Sequence, residues 1–545
     1  MLSQAPGGGT GGEVDIASSS NILISGPNTD VAADLAGLSG STLVLDSSDL
    51  SAFGADSLLI GGYRTPTSEG EQVTVLTDNL LVDNAGASTV VIGTTLKGLS
   101  GPDVILASNG RLTLASGAEI TQSGKPSNSA ETLSIGNVGT AGSGDGALIR
   151  VSSDSSAAIV RNGVTASTSG PDLTIGAGAS ITGAGLILDS TSASTLDPSA
   201  NLSGETVSID SGQINLVLDN SEPAAGLVLS SSVLAGLQGS VQALSLLSYS
   251  SIDIYGSGEI GGAADNSGNY PIQSFALHAG EITGENGGTV TINANRVTLD
   301  NSGGGTSLGI APTPAGGFVV NANVIQLGGG IGVNTLNLDG YASVDLNAAK
   351  GIVLAATGPV SVEDASSNPV SVKGVATLET AGNLAITTPL IVGSTGSNET
   401  IEANGTLDVA SSGSTATVTG GLGATLQLTG SSVTVDSNIV LPSGDISIEA
   451  NGPGGNVVIG GRLDTGGTAQ FFNDVTKYTS GGQISLASDS GSIILNSDGT
   501  ISVAANAGGG NAGSLTISAP DGTFIHNGSL LGQGGAGGQG GSFSA

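Results

Sequence analysis

Apolar side chains two residues apart, recurring in short bursts separated by glycine, are the feature that most narrows what this chain can fold into. Leu112 and Leu114, Leu133 and Ile135, Leu173 and Ile175, Val207 and Ile209, Ile252 and Ile254, and Val290 and Ile292 form such pairs. The series continues through Leu336 and Leu338, Val344 and Leu346, Val360 and Val362, Leu407 and Val409, Leu426 and Leu428, Ile446 and Ile448, Ile484 and Leu486, Ile501 and Val503, and Leu515 and Ile517. Period two is the period of a strand with one buried face, so each pair predicts a strand of about three to five residues. Between them stand Asn109-Gly110, Asn162-Gly163, Asp339-Gly340, Asn404-Gly405, Asp498-Gly499 and Asp521-Gly522. These are turn dipeptides whose glycine reaches positive φ at no steric cost. The chain therefore reads as all-β. Glycine supplies 92 of its 545 residues, a density that would cost roughly 1 kcal/mol at every helix-interior site.

Spacing separates the β architectures. Leu407 to Leu426 is 19 residues and Leu426 to Ile446 is 20, whereas a meander of hairpins brings longer strands back after about 8 to 12 residues. A coil of roughly 20 to 22 residues, built of three short strands and their turns, is the unit of a parallel β-helix or β-solenoid, and at that length the chain makes about 25 coils. Its core stacks medium aliphatic side chains on their equivalents one coil away, which suits a chain with no Trp and 13 Phe and Tyr in all. Residues 1–130 read as a less regular β-helical region, with Leu clusters such as Asp56-Ser57-Leu58-Leu59-Ile60, and residues 131–545 as a regular shaft.

Charge excludes several partners. Lys and Arg number 11 against 45 Asp and Glu, a net charge of −34, and the few cations form no stripe to neutralise a phosphate backbone, so neither nucleic acid nor an anionic membrane is expected. No apolar run approaches the ~18 residues of a spanning helix. The start, Met1-Leu2-Ser3-Gln4-Ala5-Pro6, has neither a basic n-region nor an apolar h-region, and the expectation is an internal piece of a longer exported chain. With no Cys there are no disulfides, thiolate metal sites or thiol nucleophiles.

The chemical motifs are weak. Gly256-Ser257-Gly258-Glu259-Ile260-Gly261 matches a dinucleotide fingerprint, but no helix-forming segment follows to receive a pyrophosphate. Gly534-Gly535-Ala536-Gly537-Gly538-Gln539-Gly540-Gly541 is similar to a calcium β-roll repeat without its Asp ligand. Glu363-Asp364 are adjacent acids, and strand neighbours face opposite ways. His278 and His526 have no Ser or carboxylate at a spacing that signals a relay. No catalytic residue, cofactor or metal site is expected. Two segments read as excursions from the coils, near 261–275 and 470–480, and they carry Tyr270, Phe275, Phe471, Phe472 and Tyr478. Loops bearing aromatic residues are where a solenoid offers a binding surface, so both segments are expected to protrude, with Tyr270 and Tyr478 partly exposed; the alternative for Phe471 and Phe472 is that they cap a coil edge.

The stretches Tyr478-Thr479-Ser480-Gly481-Gly482-Gln483-Ile484-Ser485-Leu486, Gly491-Ser492-Ile493-Ile494-Leu495, Gly499-Thr500-Ile501-Ser502-Val503-Ala504, Gly509 to Pro520, and Gly287-Gly288-Thr289-Val290-Thr291-Ile292-Asn293-Ala294 resemble the large filamentous-haemagglutinin-like exoproteins of Gram-negative bacteria. The resemblance is firmest over roughly 250–545. It implies a right-handed parallel β-helix, two-partner secretion through an outer-membrane barrel, and a role at the cell surface in adhesion, biofilm or competition. The N-terminal secretion domain of such proteins has no counterpart here, which makes the chain a monomeric shaft segment with a cell-surface or glycan ligand as its expected partner. Two other classes stay open: a carbohydrate-active β-helix enzyme, marked by carboxylates from neighbouring coils converging with Lys or Arg in one groove, and a calcium-dependent surface-layer or biofilm matrix protein, marked by acidic side chains stacked coil upon coil.

Overall fold

The computed structural model describes residues 12–67, 70–91, 94–125, 131–165, 170–223, 225–306, 312–363 and 369–545. It is all-β with long parallel sheets, an arrangement consistent with a β-solenoid. Two compact units divide at residues 252 and 253, whereas the change of regularity read from sequence falls near 130.

In the first unit, one parallel sheet runs in the order Ala193–Leu196, Asp172–Ile175, Arg111–Leu114, Leu80–Asp83, Asn21–Ser25 and Thr42–Asp46. Leu112 pairs with Leu173 on one side and Leu80 on the other, so the alternating residues of separate strands stack in the core. The parallel expectation fails at Ala147–Ser152, which pairs antiparallel with both Asp103–Ser108 and Gly185–Ser190. Reversing this strand leaves Arg150 buried between its neighbours, at 1% exposed. Arg150 Nε and Nη2 donate to the two carboxylate oxygens of Asp103 at 3.0 and 3.2 Å, and Nη1 donates to the carbonyls of Glu131 and Ala158. Such fork-to-fork pairing satisfies charges that would otherwise be costly to bury. A second buried pair lies nearby, where Arg161 Nε donates to Asp189 at 2.5 Å and the Tyr249 hydroxyl donates to the same carboxylate at 3.0 Å. Burial first, then the facing carboxylate, push the Tyr249 phenol well above its usual range. Three short helices also occur among the described residues, Val31–Gly37, Ser47–Ala52 and Ser231–Ser240. Asp30, Asp46 and Ser230 cap them by accepting from free N–H groups of the first turn.

In the second unit, a parallel sheet carries Glu281–Glu285, Val333–Asp339, Val375–Thr380, Asn398–Ala403, Thr425–Gly430, Asp445–Ala450, Gln483–Ser488, Ser514–Ser518 and Ser542–Ser544 in turn. Its register builds an aliphatic column of Leu336, Leu378, Ile401, Leu428, Ile448, Leu486 and Ile517, every member buried. Each such side chain contributes about 1.5–3 kcal/mol when withdrawn from water. On the opposing sheet, Thr289–Asp300, Gly317–Leu327 and Ser343–Leu354 lie in parallel, and Asn293, Asn321 and Asn347 meet in register at a bend. Asn321 Nδ2 donates to Asn293 Oδ1 at 2.9 Å and Asn347 Nδ2 to Asn321 Oδ1 at 3.1 Å.

Two expectations about the repeat are corrected. Leu426 pairs with Glu399 and Ile446, while Leu407 pairs with Leu384 and Val433 on another sheet. Leu407 and Leu426 are therefore not one coil apart. The column that runs from Glu399 through Leu426, Ile446, Ile484 and Leu515 to Phe543 is unevenly spaced along the chain. Only the step from Leu426 to Ile446 has the length read from sequence; every other step is longer, and the one from Ile446 to Ile484 is nearly double. Inserted turns and hairpins lengthen the coil, so a coil count based on a uniform short repeat does not carry over. Val360 and Val362 belong to a hairpin, Val360–Glu363 with Pro369–Val372, rather than to the ladder.

The turn glycines serve two ends. Gly163 and Gly340 take φ of +67° and +76°. Gly522 does not, but a methyl group there would collide with the Gly491 carbonyl, and one on Gly491 with the Gly455 carbonyl. Stacked turns approach so closely that no side chain fits between them, a second reason for the glycine density.

Candidate functional site

Of the two excursions read from sequence, the one near 470–480 is a β-hairpin standing apart from the parallel sheets. Ala469–Phe472 and Val475–Tyr478 pair antiparallel, with Phe472 opposite Val475. Asn473 opens the two-residue turn at φ 52°, the left-handed conformation such turns need and Asn tolerates. At the base, Thr468 N donates to Thr479 Oγ1 at 2.8 Å, Thr479 N donates to Thr468 O at 2.9 Å, and Thr479 Oγ1 shares a 2.6 Å hydrogen bond with Ser443. The Tyr478 ring lies over Gly508 and Gly509, where any side chain would collide with it. Phe471 is 78% exposed, Phe472 61% and Tyr478 41%, with Val475 and Lys477 also exposed. Apolar rings in water on a hairpin pinned at its base have the make-up of contact anchors, and the coil-edge cap considered for the two phenylalanines is not their position.

The excursion near 261–275 differs. Residues 263–269 are exposed, around a turn in which Asp265 Oδ1 accepts from Ser267 N at 2.7 Å and Asn269 N at 2.9 Å. Those backbone hydrogen bonds, Asn269 first, hold the Asp265 carboxyl below its usual range. Tyr270 is half-buried, its backbone pinned by Asn295, which accepts from Tyr270 N and donates to Tyr270 O. Phe275 is fully buried in the strand Ser274–His278, paired with Val297. It is a core residue and lends nothing to an exposed patch. Its alternation with Leu277 is the signal that could have placed it.

His278 corrects the sequence reading in another way. The register sets it opposite Asp300, and His278 Nδ1 lies 2.5 Å from Asp300 Oδ1 and 3.0 Å from Ser302 Oγ. A relay needs its hydroxyl on one ring nitrogen and its carboxylate on the other. Here both meet Nδ1, so the constellation of Ser, His and Asp carries no relay. Burial works against ionisation of Asp300, but the hydrogen bond and charge of His278 and the hydrogen bonds from Ser302 outweigh it and hold the carboxyl below its usual range. His526 stacks on Phe524 at 5.9 Å. The Glu363 side chain and Asp364 lie outside the described residues. Gly256 to Gly261 passes from the strand Ser251–Tyr255 into the strand Gly258–Ile260, with no helix there. The glycine run at 534–541 joins the strands Ser529–Leu531 and Ser542–Ser544 by turns.

Acidic side chains do stack on the outer face of the second unit. Glu379 pairs in register with Glu402. Burial first, then Glu402, raise the Glu379 carboxyl, and burial followed by Glu281 and Glu379 raises Asp339. Among the described residues no group of three or more His, Cys, Asp or Glu is arranged to hold a metal ion, and no helix is long and apolar enough to cross a membrane. No family model, curated protein or solved structure matches this chain.

Proposed function

We propose that the chain is a structural and adhesive segment of a secreted, surface-associated bacterial exoprotein of filamentous-haemagglutinin type, folded as a right-handed parallel β-helix and exported by the two-partner route. The observation that carries this reading is the hairpin Ala469–Tyr478, which lifts Phe471 and Phe472 into solvent beside parallel ladders. Adhesion needs little more than a stiff support and a few exposed anchors, since rings contribute large contact area at low conformational cost. The ligand is a cell-surface protein or glycan, and the parent chain's partner is its outer-membrane secretion barrel. The high negative charge keeps segments apart and monomeric. No residue is assigned to catalysis, and incubation with pectins, alginates and other acidic glycans is expected to release no reducing or unsaturated ends. Beads coated with the protein are expected to attach to bacterial or host cells and to lose that attachment with Phe471→Ser and Phe472→Ser together. Unchanged attachment by a variant of unchanged melting temperature would remove the hairpin from the reading.

A calcium-dependent matrix or surface-layer role is the second reading. What favours it is the stacking of Glu379 on Glu402 and the approach of Glu281 to Asp339. A melting temperature that rises steeply with millimolar calcium and falls back with chelator would bring this reading to the front.

A further inference from the structure

Beside the aliphatic column of the second unit runs another, Asn334, Ala376, Glu399, Leu426, Ile446, Ile484 and Leu515. Glu399 holds a place in it that an aliphatic side chain would fill. It is 1% exposed, and its Oε2 is buried with no hydrogen-bond partner. The flanking strands present Ala376 and Leu426 to it. On the third side lies Gly328, at φ +76°, where any side chain would collide with Glu399 Oε2. The charged group facing Glu399 is Asp300, itself bonded to His278 and Ser302, and no ion pair reaches Glu399 among the described residues. A carboxylate so placed would be an uncompensated charge among hydrocarbon and beside a second carboxylate, whereas the neutral acid is tolerable.

We infer that Glu399 is a proton-operated latch: the strand Asn398–Ala403 stays packed between Val375–Thr380 and Thr425–Gly430 with its carboxyl protonated, and opening of this strand releases one proton. Burial, and after it Asp300, push the Glu399 carboxyl up to about 8 from an ordinary 4.5. Below about pH 4.5 the open and closed states are both protonated and the latch costs nothing. Between about 4.5 and 8 only the open state ionises, so opening becomes easier as pH rises, and above 8 both states are ionised and the effect levels off.

Amide hydrogen exchange on the full chain, corrected for the base dependence of exchange itself, tests this. Protection within Asn398–Ala403 is expected to fall about tenfold per pH unit between about pH 5 and 8, then level off. E399Q and E399L are both expected to abolish the slope, the leucine variant also raising protection at pH 8. A protonated-carboxyl stretch in the infrared spectrum is expected at pH 7, lost above about pH 9 and missing from E399Q. Flat protection in the wild type, a slope retained by either variant, or a spectrum without that band at pH 7 overturns the latch. Absence of the band from the wild-type chain at pH 7 overturns the latch even if a variant fails to fold.

Discussion

In the second unit the column from Leu336 to Ile517 is aliphatic at every level, whereas in the first unit the strand Ala147–Ser152 runs against both neighbours and buries an arginine. In that column each aliphatic side chain meets its like on the next parallel strand, although Glu399 interrupts the column beside it. Where direction reverses, aliphatic residues still face one another, Val151 between Val104 and Leu186 and Ile149 between Leu106 and Leu188, but Arg150 enters between Ile105 and Ile187 and is paired with Asp103. The contrast is between a column made of hydrocarbon alone and strands that stack hydrocarbon but also bury ion pairs, Arg150 with Asp103 and Arg161 with Asp189.

The sharpest way to break that contrast is Arg150→Ala. It strands Asp103 in the core and should destabilise the first unit by about 3–5 kcal/mol, read from its transition in denaturant titration. Arg150→Met with Asp103→Leu should recover most of the loss; failure to recover would mean that the pair specifies strand direction rather than merely filling space. Leu428→Ala in the second unit should cost about 2–5 kcal/mol and shift only that unit's transition; a shift in both would show that the units are not independent. Asn321→Ala, which removes one rung from the side-chain ladder at the bend, should cost about 1–2 kcal/mol through its two lost hydrogen bonds. Phe471→Ser with Phe472→Ser should change stability by less than about 0.5 kcal/mol, because those rings are already in water. A larger loss would make them part of the core after all.

Period two made the inward residues of both units legible, and every described pair read from the sequence is buried. Strand direction was not legible, because parallel and antiparallel strands share that period and Ala147-Leu148-Ile149-Arg150-Val151-Ser152 is, like each neighbour, a mostly apolar run with a single charged residue. The length of the coil was obscured by insertions such as the hairpin at 469–478, which falls between Ile446 and its partner Ile484 and pushes the two apart along the chain. Within the candidate site, the cluster of aromatic residues at 470–480 marked an excursion, but nothing in the sequence reading showed that it is a hairpin or that both phenylalanine rings are solvated. The approach of His278 to Asp300 is made between separate strands and depends on register, which no local motif carries. Glu399 could have been found: Glu399, Ile401 and Ala403 alternate, which puts the carboxyl on the buried face.

The asparagines at the bend have a direction. Asn293 Nδ2 donates back to Glu259 Oε1 at 2.7 Å, Asn321 to Asn293, and Asn347 to Asn321, so at each step the residue later in the chain donates to the earlier one. In a second row Asn323 donates to Asn295 and Asn295 to the carbonyl of Tyr270, while Tyr270 N donates back to Asn295 Oδ1. Within the short ladder from Asn293 to Asn347 each earlier asparagine presents an amide oxygen to the next strand, and the row ends where Asn347 meets Thr387. Slipping the next strand by one residue would bring Ala322 opposite Asn293, with no donor to offer. Each asparagine pair therefore favours one alignment of neighbouring strands, since a strand slipped by one residue forgoes the hydrogen bond.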